Sequence, residues 1–144
     1  IIRYQIDFGI VVNPVAHPDL VITELSRDEV TFWKSPKLKN ADTLICDPEL
    51  LQTGALLKKM KSAGLDFKRT LTSSSLEVVR NLVEAGTGVG IIPGKVVSRS
   101  GATRLIRIPK APVFHDRICL TYRMDAQKSS AAKAVLQAIK SISL

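Results

Sequence analysis

Residues 72–75, Thr-Ser-Ser-Ser, place four hydroxyls directly before the amphipathic stretch "LEVVRNLVEAG", and three glycines, Gly86, Gly88 and Gly90, follow at alternate positions. Two chemistries fit such a pattern. Glycines can cradle a phosphate, and hydroxyls with free backbone N–H groups at a helix start can hold an anion such as a carboxylate. The phosphate reading fails on order. A nucleotide loop has its glycines after a strand and before a helix, where N–H groups and the positive helix end meet the phosphates. Here the glycines follow the predicted helix and precede the apolar run "VGIIP", at the helix's negative end.

The hydroxyl end has the right polarity. Thr72, Ser73, Ser74 and Ser75 lie between a predicted strand and a predicted helix, and in open α/β sheets ligands lie beyond the carboxyl ends of strands. Capping alone accounts for the same residues: Ser74 as N-cap, Glu77 as its capping-box partner, Leu76, Val79 and Val83 as the buried stripe, and Gly86 as a left-handed C-terminal cap. Two more strand ends carry groups able to face a common cleft. "VVNP" leaves Asn13 and Pro14, and "CDPELL" leaves Asp47 and Pro48, although Asn-Pro and Asp-Pro also favour plain turns.

The positioning elements follow from periodicity. "YQIDFGIVV" predicts a strand buried on both faces, ended by the loop "NPVAHPD". "LVITEL" and "EVTFWKS" predict a strand pair separated by "SRD", and "PKLKN" a charged connection. "DTLICDP" is a short buried strand. "ELLQTGALLKKMKSAG" predicts a helix with Leu50, Leu57 and Met60 inward, Lys58, Lys59 and Lys61 at its negative end, and a stop at Gly64. "DFKRTLTS" alternates as an exposed or half-buried strand, and "GKVVSRSGATR" predicts a short helix or turn and then a linker. "RLIRIPKAPVF" is extended, "DRICLTYRM" is a strand, and "SSAAKAVLQAIKSI" is a terminal helix with Ala131, Val135, Ala138 or Ile139, and Ile142 on its inner stripe. Alternating βα units imply an open α/β sheet with helices on its faces. The middle block forms a complete βαβαβ unit, so the chain is expected to build one lobe from residues 1–39 and 104–144 and a second from 40–103.

Composition bounds the function. At 144 residues and 45% hydrophobic, the chain supports one ordinary core or two small lobes. Lys and Arg number 21 against 13 Asp and Glu, giving +8, which favours encounter with anions of any kind. The basic residues are scattered, and one Trp, two Tyr and four Phe do not make the stacking platform of a single-strand binder. Cys46 and Cys119 each sit in an apolar run as buried, reduced thiols. His17 and His115 lack a second ligand at metal spacing, so no metal and no cofactor is expected. No G-x-S-x-G elbow or other catalytic set is present, which argues against an enzyme. No signal segment opens the chain, and no apolar run reaches the roughly 18 residues that span a bilayer. A cytoplasmic protein without membrane contact is expected. The strand-like opening without Met leads us to expect further sequence upstream.

"SSSLEVVRNLVEAGTGVGIIP" resembles the effector-binding domain of LysR-type transcriptional regulators, which carry a serine-bearing helix start and then a segment of the form "lVaaGlGialLP". The similarity continues in register: "YQIDFGIVV" resembles the family's "geLDlai" strand, "HPDLVITELSRDEVTFWKSP" its strand pair, "TLICDP" the first strand of its second lobe, and "RICLTYRM" with the final helix its return to the first. The resemblance implies the two-lobed periplasmic-binding-protein-like (type 2) α/β fold. It also implies a small effector between the lobes, near Asn13, Pro14, Asp47, Pro48, Thr72, Ser73, Ser74 and Ser75, and it favours the anion reading of the serines. Homodimers or homotetramers are implied as well, with DNA contacted only through a separate N-terminal helix-turn-helix. The family's winged helix-turn-helix, its linker helix, and the first strand and helix of lobe one have no counterpart in this sequence. A solute-binding protein of the same fold is the alternative.

Overall fold

The computed structural model describes residues 1, 6–39, 41–98 and 104–142, the side chains of 127 and 128 excepted. The chain divides into two units, Ile1–Asp28 with Asp116–Leu144, and Glu29–His115. The lobe limits expected at 39/40 and 103/104 abut residues 40 and 99–103, which lie outside the described residues, as do residues 2–5 of the first predicted strand.

The strands are β1 (Phe8–Val12), β2 (Leu20–Lys34), β3 (Thr43–Cys46), β4 (Arg69–Thr72), β5 (Val89–Pro93), β6 (Ile106–Arg107) and β7 (Phe114–Arg123). The helices are α1 (Leu51–Met60), α2 (Leu76–Glu84), α3 (Gly94–Ser98) and α4 (Ser130–Ser141). The stretch expected to form two strands is one continuous β2. "SRD" contains no glycine or proline, so its polar side chains do not interrupt the backbone ladder.

In the second unit, β3 lies between two parallel neighbours, β4 (Thr43↔Arg69 to Cys46↔Thr72) and β5 (Leu44↔Val89, Ile45↔Gly90). The far half of β2 runs antiparallel to β5, from Val30↔Pro93 to Trp33↔Gly90. Period-two alternation sorts β3 between two cores. Leu44 and Cys46 pack with Phe32, Ile91 and Leu56 of α1, while Ile45 packs on the opposite face with Ile92 and with Val79 and Val83 of α2. Phe67 stacks on Phe32 at 6.3 Å between ring centroids, and the Trp33 indole N–H donates to the Ile92 carbonyl at 2.9 Å.

The glycine run makes this packing possible. After α2, Gly86 takes the left-handed conformation (φ 79°). The Gly86 N–H donates to the Val83 carbonyl and the Thr87 N–H to the Leu82 carbonyl, the paired bonds of a Schellman cap. A Cβ on Gly86 would stand 2.4 Å from the Lys37 carbonyl oxygen, one on Gly88 2.5 Å from the Thr43 carbonyl oxygen, and one on Gly90 2.4 Å from a Val83 methyl. The C-terminal cap read from the sequence is present, and each glycine admits a neighbour that a larger residue would displace.

In the first unit, β1 pairs antiparallel with β7, from Phe8↔Tyr122 to Val12↔Ile118. β1 is an edge strand whose Ile10, Val11 and Val12 are exposed, which corrects the expectation of burial on both faces. Apolar content alone does not distinguish an edge from a centre. The inner stripe of α4 is also corrected. Leu136 is buried with Leu120 and Tyr122, and Ile139 packs beside it, whereas Ala131, Val135, Ala138 and Ile142 are exposed. Two apolar stripes about one residue apart run along this helix, and only packing chooses between them.

Replacing Gly86 by Ala is expected to destabilise the chain by about 2 kcal/mol or more, through backbone strain and the Lys37 clash. Gly54, inside α1 with open space around it, offers the opposite case, and Gly54→Ala is expected to stabilise by about 0.5–1 kcal/mol. Denaturant midpoints of both variants check the contrast, and an unchanged midpoint for Gly86→Ala would refute this account of the turn.

Candidate functional site

The carboxyl ends of β3 and β4 meet in the second unit. The pairing Cys46↔Thr72 sets Asp47 and Ser73 side by side, and the Ser73 N–H donates to the Cys46 carbonyl at 3.1 Å. α1 leaves the tip of β3 and α2 leaves the tip of β4. The chain moves outward from β3 to β4 and returns past β3 to β5, so the strand order reverses at β3. Such a reversal is where open α/β sheets form a crevice at their carboxyl ends.

Of the predicted residues, Asp47, Pro48, Thr72, Ser73, Ser74 and Ser75 gather at these two tips, with Thr72, Ser74 and Ser75 exposed and Ser73 half-buried. The N-cap of α2 is Ser75, whose side chain accepts from the Val78 N–H, not Ser74. The expected Ser74–Glu77 capping box is therefore corrected by one residue. Three consecutive serines are equal candidates by type, and the turn selects among them: the Ser73 hydroxyl oxygen accepts from the Ser75 N–H at 3.2 Å, and the helix begins at Leu76. Glu77 stands in the first turn, where its charge complements the helix dipole.

The tip of β3 is built differently. Asp47 is buried, and its Oδ1 accepts from the Glu49 N–H at 3.1 Å, closing the turn into α1. Burial pushes the neighbouring Cys46 thiol up, and the Asp47 charge adds to this, so the thiol stays protonated at neutral pH. The N-cap of α1, Leu50, makes no side-chain cap bond, and the first turn holds no acidic residue. Gln52 and Thr53 are buried, and Thr53 Oγ1 has no hydrogen-bond partner among the described residues. Sequence reasoning passed over Thr53. The available signal was the absence of Ser, Thr, Asp or Asn at the N-cap position of "ELLQTG".

Asn13 and Pro14 belong to the first unit. Asn13 is left-handed (φ 51°), and its side chain is engaged at both ends. Nδ2 donates to Asp116 Oδ1 at 2.7 Å, and Oδ1 accepts from the Arg117 N–H at 2.9 Å. Asp116 is buried, and desolvation pushes its carboxyl up; the Asn13 hydrogen bond holds it down and the Asp28 charge pushes it up. His17 Nδ1 accepts from the Asp19 N–H at 3.2 Å, and His115 lies 3.9 Å from Glu29. The first unit also holds an open cavity of about 520 Å³ lined by Ile6, Phe8, Arg123, Ala131 and Val135, beside the exposed stripe of α4.

A parallel strand core with helices on both faces and polar residues at its strand tips is an open α/β domain. The chain matches the LysR substrate binding domain over residues 1–142 and belongs to that family, whose regulatory domains have the periplasmic-binding-protein-like type 2 fold. It is 23% identical to the HTH-type transcriptional regulator SoxR of Arthrobacter sp. (strain TE1826), covering 97% of this chain and 51% of the relative. The chain thus spans about half the length of that curated protein. Among solved structures, the CcmR regulatory domain of Synechocystis PCC6803 in complex with 2-PG superposes with a TM-score of 0.74 at 15% identity, over 99% of this chain and 76% of that one. The bromide-bound HypT regulatory domain of Salmonella typhimurium gives 0.73 at 15% identity, over 96% and 73%. No described helix is long and apolar enough to cross a membrane.

The corrected cap predicts that Ser75→Ala costs about 1 kcal/mol and Ser74→Ala less than about 0.5 kcal/mol in thermal or chemical unfolding. The reverse order would restore the Ser74 assignment. Asp116 makes a second expectation. Its folded carboxyl titrates above the unfolded value, so the native state holds the proton more tightly, and this favourable contribution is present at low pH and lost as pH rises through the raised value. Asp116→Asn should flatten that part of the stability profile. Asn13→Ala, by removing the bond that holds the carboxyl down, should move its NMR-observed titration further up, and a downward move would refute the assigned cause.

Proposed function

We propose that the chain is the effector-sensing part of a bacterial LysR-type transcriptional regulator acting in the cytoplasm, and that its effector is a small anionic metabolite. The effector sits at the carboxyl ends of β3 and β4, against Asp47, Pro48, Thr72, Ser73, Ser74 and Ser75. The observation that carries this placement is the parallel pairing Cys46↔Thr72, which brings two polar strand tips and two helix starts side by side at the carboxyl ends of β3 and β4. The net charge of +8 favours an anion, and the similar HypT domain was obtained with a bromide ion bound. Asn13, committed to Asp116 and Arg117, serves to fasten its own unit.

Binding acts by population shift. An effector that fits one pre-existing conformation better than another biases the domain toward it by its differential affinity. In a homodimer or homotetramer, that bias reaches a separate helix-turn-helix domain as a coupling free energy. No chemistry on the effector is required, and the chain works as a sensor rather than a catalyst.

The test is an amide NMR titration of the 144-residue chain with acetate and, separately, with inorganic phosphate. Perturbations are expected to concentrate at residues 47–53 and 72–75. Saturable perturbations confined to the cavity between β1 and α4, with the strand tips silent, would overturn the placement.

A further inference from the structure

We draw no further inference here: the strongest candidate, the apolar face that β1 and the outer stripe of α4 present around the open cavity of about 520 Å³, is unpartnered among the described residues, and nothing in the structure shows what covers it.

Discussion

The second unit depends on the absence of side chains at three positions. Where Gly86, Gly88 and Gly90 pass the Lys37 carbonyl, the Thr43 carbonyl and the Val83 side chain, there is no room for a Cβ. That close approach lets β5 lie beside β3 and lets α2 press Val79 and Val83 onto the sheet. With α2 fixed at its C-terminal end by the left-handed turn at Gly86, its start falls at the tip of β4, beside the tip of β3. These glycines, placed in the wrong order for a phosphate loop, determine where other groups meet.

Those groups are not equivalent. Helix starts attract anions through unsatisfied N–H groups and the dipole, and each group satisfied from within the protein is one withdrawn from a ligand. α2 satisfies its start with serines and a glutamate, while α1 has a leucine at the cap position and a buried hydroxyl in its first turn. Of the three serines, Ser73 and Ser75 already hold the turn and the cap of α2.

The first unit shows the same trade between polar groups and position. Asn13 adopts a conformation that asparagine tolerates better than most residues, and its amide bridges Asp116 and the Arg117 N–H. This turn residue joins the end of β1 to β7. The exposed Ile10 and Val12 of β1 and the outer stripe of α4 leave apolar surface on this unit.

By itself, the sequence determined the element types, the βαβαβ core, the C-terminal cap at Gly86, the family and the clustering of polar residues at strand ends. These are local or periodic properties: a glycine where φ must be positive, a stripe at helical spacing, and apolar runs bounded by proline. It did not choose among equals. Three adjacent serines could each cap α2, two neighbouring stripes of α4 could each face inward, and "IDFGIVV" could be a central or an edge strand. Only the tertiary structure decided these, because the choice depends on which neighbour arrives across the sheet. The same holds for Thr53. Packing buries its hydroxyl and supplies it no partner among the described residues.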